Sequence, residues 1–375
     1  MAECPQRCTA ASAAGAFVVS RAAPVMRRSG QRGAVLLLLC LALIVSSGVV
    51  LRQTLAEHRH SVRYTAPGMR LLAARDELIA YAVSYADHYG LSGAGPGHLP
   101  CPNTQLPDGS RSSESPDPPC GGEPLALGRL PRQSGSDAAQ RVTVFQRGTY
   151  DANNAIWYAV SAAFVNNPAA QVNPATEATL TLDAREQVVA VLIDPGAPFA
   201  GRAGRPSLQP AAYLEAENAD GDTVFANLSG DEGNDRVLPL SRAQLMPLVR
   251  RRVAAYILDW LSQWSQSQCG AEGLCFPPAG DEDGYCRADL SEGRLPLLAD
   301  DCEAAGLLEQ ELNEAGIAYE RHWFVRNGWP AWVDYAVDPL CVSGAAACEV
   351  LVDDTLSGGP LQIRVLPARP MAENL

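Results

Sequence analysis

Gly128-Arg-Leu-Pro131, followed by Trp157-Tyr-Ala-Val-Ser161, recurs in the second half of the chain as Gly293-Arg-Leu-Pro296 and Tyr335-Ala-Val337, with Trp329 and Trp332 close by. Each Gly-Arg-Leu-Pro follows a helical pattern, a proline-containing loop and a cysteine. Each Tyr-Ala-Val precedes stretches of strand character, 179–193 in the first half and 347–353 with 361–366 in the second. Two related α+β lobes with antiparallel sheets are expected, at 90–240 and 241–375. The offsets, 165 and 177 residues, differ, so the halves are not in strict register. The competing reading is chance recurrence of common short motifs in an Ala- and Leu-rich chain.

Outward from these motifs, Thr179-Leu-Thr-Leu-Asp183 and Gln187-Val-Val-Ala-Val-Leu-Ile193 read as a hairpin. Its second strand is apolar without alternation, the pattern of a strand buried on both faces. Residues 213–235 are acidic and loop-like, and 242–267 read as a strong helix. Asn234-Asp-Arg236 is read as capping that helix region. Upstream, 52–89 read as a helical stem, broken or kinked at Pro67-Gly68. Leu71, Leu72, Ala74, Leu78, Ile79, Ala82 and Val83 recur along it at helical spacing.

Ahead of the stem lies Ala34-Val-Leu-Leu-Leu-Leu-Cys-Leu-Ala-Leu-Ile-Val-Ser-Ser-Gly-Val-Val-Leu51, 18 residues without a charge. As a helix it spans about 27 Å, near the lower limit for crossing a bilayer. Five Arg and one acid precede it, whereas 24 Arg and 41 acids follow it. That asymmetry fits the positive-inside rule. The expectation is a single-pass inner-membrane protein with a cytoplasmic N-terminus, a transmembrane helix at 34–51 and a periplasmic head. The net charge of −13 argues against a nucleic-acid partner.

Met26-Arg-Arg-Ser-Gly-Gln-Arg-Gly33, abutting the apolar run, resembles a type IV prepilin leader, and Met26 reads as the true start of a 1–33 leader. The resemblance implies cleavage by a prepilin peptidase between Gly33 and Ala34, with Ala34 as a methylated N-terminus. It also implies a pilin-like head and packing against other pilin or pseudopilin subunits of a type IV pilus or type II secretion apparatus. The family's acid at the fifth mature position is Leu38 here, and its aromatic at the first is Ala34. That departure is similar to minor or tip subunits, K-type pseudopilins and X-type minor pilins among them. The order of Leu-Ile-Ala-Tyr-Ala-Val-Ser (78–84), Leu-Pro-Cys-Pro (99–102), the first Gly-Arg-Leu-Pro and Asn-Asp-Arg-Val-Leu-Pro-Leu (234–240) resembles a group of large prepilin-leader proteins. Two readings of the same stretch stay open: a signal peptide cut near Ser46-Ser47-Gly48, leaving an exported binding or structural protein, and an uncleaved anchor.

Eight of the eleven Cys follow the apolar run: Cys101, Cys120, Cys269, Cys275, Cys286, Cys302, Cys341 and Cys348. An even number in an exported domain points to disulfides. Pairing by proximity gives 101–120, 269–275, 286–302 and 341–348, one of about 105 connectivities. No CxxC zinc pattern, Gly-x-Ser-x-Gly elbow, His-Glu-x-x-His or phosphate loop is present. The five His (58, 60, 88, 98 and 322) form no acid–base set, so neither catalysis nor a cofactor is expected. Three stretches, 215–222, 231–235 and 281–284, are oxygen-rich with turn glycines, a composition that can hold Ca²⁺. None has EF-hand spacing, and solvated surface turns are the competing reading.

Overall fold

A computed structural model of the protein describes residues 67–368, apart from 92, 105–124, 135–141, 145–154, 168–169, 199–203, 208, 229–232, 270–273, 303–305 and 355–358. The expected leader, membrane helix and residues 52–66 of the stem lie outside the described residues.

Helix α1 (Pro67–Val83) begins at the expected break, with Pro67 at its first turn, where a missing N–H costs nothing. Leu71, Ala74, Leu78, Tyr81 and Ala82 form its buried stripe, and a short α2 (Tyr85–Tyr89) follows. The first sheet holds β1 (Leu125–Arg129), β4 (Trp157–Ser161), β5 (Leu180–Leu182), β6 (Arg185–Asp194), β7 (Val224–Phe225) and β8 (Arg236–Ser241). A separate small hairpin joins β2 (Gln133–Ser134) to β3 (Val142–Thr143). Strand β6 is the centre: it forms a hairpin with β5, pairs with β4, and pairs with β8 along its other edge. Residues 188–194 are all buried, as the unbroken apolar run expects. One face meets α1 in a first core. The other packs Trp157, Val191 and Ile193 against Ala212, Tyr213, Leu214 and Phe225 in a second core.

Strand β8 runs without a linker into α3 (Arg242–Cys269), whose Leu245, Val249, Val253, Ile257, Trp260 and Leu261 form one buried stripe. Then come β9 (Glu292–Gly293), α4 (Glu309–Ala315), α5 (Trp323–Arg326), β10 (Val333–Val337), α6 (Pro339–Val342), β11 (Cys348–Asp353) and β12 (Leu361–Pro367). They build a second sheet in the order β11-β12-β10-β9. The halves meet at the β8–α3 join, where the sequence places its lobe boundary, yet 64–375 is one compact unit and the first core runs through both halves. Asn327, fully buried, ties them together: its Oδ1 accepts from Val172 N at 2.7 Å, and its Nδ2 donates to the Ala94 carbonyl.

Two expectations are corrected. Among the described residues no helix is long and apolar enough to cross a membrane. The longest, α3, has 28 residues, but Arg242, Arg250, Arg251, Arg252 and Asp259 interrupt its apolar positions. The expected fold class, a transmembrane helix bearing a pilin-like head, and the single-pass inner-membrane placement with a cytoplasmic N-terminus and periplasmic head give way to an α+β structure with no such element among the described residues. The sheets are also mixed and not purely antiparallel. Strand β12, the second strand of its hairpin, lies beside β10 and runs parallel to it, and β5 pairs parallel with β7.

Candidate functional site

The repeated motifs form one frame, built twice. In lobe 1, Gly128 pairs with Tyr158 across β1 and β4; in lobe 2, Gly293 pairs with Tyr335 across β9 and β10. The arginine after each glycine bridges a third segment through two backbone hydrogen bonds. Arg129 and Asn103 exchange N–H···O bonds of 2.8 Å in both directions, and Arg294 and Gly280 exchange bonds of 2.9 and 2.8 Å. Each glycine lies under that segment's carbonyl: a Cβ on Gly128 would stand 2.7 Å from Asn103 O, and one on Gly293 nearer still to Gly280 O. Both tyrosines are fully buried. The frames diverge at the next strand, because β6 meets β4 antiparallel whereas β12 meets β10 parallel.

Their exposed sides differ more. Arg129 is 2 % exposed, and its guanidinium lies 5.8 Å from the Trp157 ring and 5.5 Å from that of Tyr213. Its Nη2 donates to Ser207 O at 2.6 Å. In lobe 2 the residue at the Trp157 position is Asp334. Arg294 pairs with Asp334 through Nη1 at 2.7 Å, with its side chain 31 % exposed.

Three expected disulfides are present, all in lobe 2. Cys269–Cys275 ties the end of α3 to the segment entering the frame, Cys286–Cys302 closes the loop around β9, and Cys341–Cys348 joins α6 to β11. Their Cα separations are 6.1, 5.8 and 6.0 Å. Cys101 is also disulfide-bonded. Cys120, its expected partner, and the processing pair Gly33 and Ala34 lie outside the described residues.

The acidic segment 213–235 is not wholly a solvated loop. Glu215 and Asp235 are 1 % and 3 % exposed. Asp235 Oδ2 accepts from Glu215 N at 2.9 Å and from Asn218 Nδ2 at 3.2 Å. Glu215 Oε2 accepts from the Asn234 and Asp235 N–H groups at 3.1 and 3.2 Å. Asp235 therefore fastens the segment to the start of β8; it does not cap α3, which begins beyond β8. Burial, with the adjoining Glu215 carboxyl, pushes Asp235 up to about 7. The folded chain then holds a proton there that an unfolded aspartic acid releases near 3.8. Stability from this group falls as pH rises from about 4 to about 7. Buried His98 gives the opposite slope: burial lowers it from 6.5 to about 4, so stability from His98 rises with pH across that interval. The aspartate effect is therefore read as a difference. The native chain is expected to lose stability relative to Asp235→Asn as pH rises from about 4 to about 7, in urea midpoints measured across that range; parallel curves would show that Asp235 holds no proton in the folded chain there.

His322, fully buried, caps α5 by accepting from Phe324 N at 3.3 Å, with Nε2 3.7 Å from Glu311. Glu217, Asp220 and Asp222 are the only carboxylate group among the described residues compact enough to reach one ion. All three are exposed, and Asp220 and Asp222 accept backbone N–H groups of their own turn, as solvated turns do. Asp281 behaves alike, accepting from Asp283 N and Tyr285 N. Sequence reasoning found the Gly-Arg and Tyr-Ala-Val motifs but missed Asn103 and Gly280, whose only common signal is a cysteine and proline a few residues upstream, at spacings of two and five residues from the cysteine. No family model, no curated protein and no solved structure matches the chain.

Proposed function

We propose that this chain is a minor pilin- or pseudopilin-like subunit of a type IV pilus or type II secretion apparatus, working by contact with neighbouring subunits and not by catalysis. The observation that carries the reading is the leader: a short basic segment ending in Gly33, directly followed by Ala34 and an uncharged run. Leu38 in place of an acid favours a minor or tip position over a repeating one. The disulfides support an oxidising compartment. A head whose main core runs through both lobes and whose loops are cross-braced suits a contact role, because docking surfaces need rigid support.

The test is the N-terminal residue and intact mass of the mature protein from its native host. The expected result is N-methylated Ala34 after cleavage by the prepilin peptidase. A mature chain starting near Gly48 or Val49 would overturn the reading and assign the protein to exported binding or structural proteins.

A further inference from the structure

In lobe 1 the Gly-Arg frame is covered by the chain itself. Pro210 helps to line the cavity of about 80 Å³ left between Asn103, Gly128, Arg129 and Trp157, while Ser207 and Tyr213 contact the Arg129 guanidinium. In lobe 2 the same frame opens into a notch of about 370 Å³ between Gly280, Asp281, Glu282, Gly293, Arg294 and Asp334. The backbone is the same and the lining is not. Asp334 stands where lobe 1 has Trp157, and Asp281 where it has Thr104, so an aromatic notch has become an acidic one. Glu292, beside Gly293 on β9, is exposed and adds a further carboxylate.

We propose that the lobe 2 notch is a docking site for a basic, extended segment of a partner protein, lying on its frame as Ser207, Pro210 and Tyr213 lie on the frame of lobe 1. Arg294 spends Nη1 on Asp334, and its exposed edge is placed to donate to a backbone carbonyl, as Arg129 donates to Ser207 O. Asp281, Glu282 and Asp334 line the notch with Arg294 as its one cation, so the surplus negative charge favours a cationic segment. In sequence, the stretch Gly201-Arg-Ala-Gly-Arg-Pro-Ser-Leu-Gln-Pro210 carries two arginines and no acid, which makes it a basic probe for the notch. The inference is independent of the leader; the N-terminal result leaves it standing or falling on its own test.

A labelled synthetic peptide of residues 201–214 is titrated against the full chain by fluorescence anisotropy. Saturable binding is expected, weakened at least tenfold by Glu282→Arg and several-fold by Asp334→Asn. Glu282 is exposed, so its reversal spares the core; asparagine at 334 can still hydrogen-bond Arg294 and Gln362. A peptide with Gln at both arginines is expected to bind at least tenfold more weakly. Absence of saturable binding, equal affinity of the native and Glu282→Arg chains, or equal affinity for the two peptides would each overturn the proposal. Displacement of the native segment from lobe 1 would give binding indifferent to Glu282, and so falls among the overturning results.

Discussion

Replacing Gly293 by alanine is expected to cost about 2–3 kcal/mol of stability, and replacing Gly128 a similar amount. The added methyl in each case meets a backbone carbonyl, Gly280 O or Asn103 O, and not the yielding end of a side chain. Relief means parting the two strands or breaking the paired bonds that hold Arg294 to Gly280, or Arg129 to Asn103. Neither glycine has a positive φ, so the effect isolates close approach from backbone preference. Gly204→Ala is the control: nothing lies within 4 Å of its added Cβ, and its midpoint is expected within about 0.5 kcal/mol of native. Denaturant unfolding of the three variants checks this. Equal midpoints for Gly204→Ala and Gly293→Ala would mean that the frame is not tight.

Reduction of the disulfides is expected to have a larger effect. The three described bridges close loops of 6, 16 and 7 residues. Loop-closure entropy assigns each about 2–3 kcal/mol, with Cys286–Cys302 the largest. Together they match about half or more of the 5–15 kcal/mol that folded proteins generally possess. All three lie in lobe 2, so reduction is expected to loosen that half first. Amide hydrogen exchange should show protection lost in β10 and β12 at reductant concentrations that leave β6 protected. Simultaneous loss in both lobes would show instead that the shared core, and not the bridges, sets their cooperativity.

Much of the fold was legible. The apolar run 187–193 gave a strand buried on both faces, and a helix expected at 242–267 extends to Cys269. Both signals are local, because burial on two faces or along one stripe writes itself into composition. Strand direction is not local. Nothing in Leu361–Pro367 states that it will lie parallel beside β10, since the choice depends on which arm of a hairpin turns inward. Glu215 and Asp235 were illegible for another reason: acids signal solvent, and only a set of partners 17 to 20 residues apart makes their burial tolerable. At the candidate notch, the sequence exposed the repeated motifs but not the substitution of Asp334 for Trp157, which has meaning only once Tyr158 and Tyr335 are known to hold equivalent places.

The direct passage of β8 into α3 has a mechanical consequence. Tension applied to lobe 2 reaches β8 through a stiff helix with no slack segment to absorb it. Strand β8 is held along β6 from Asp194 to Val188, so a pull along its axis loads those hydrogen bonds together, in shear, and not one after another as in unzipping. Pulled apart, the two halves are expected to resist as sheared strands do, with a higher rupture force than a peeled hairpin.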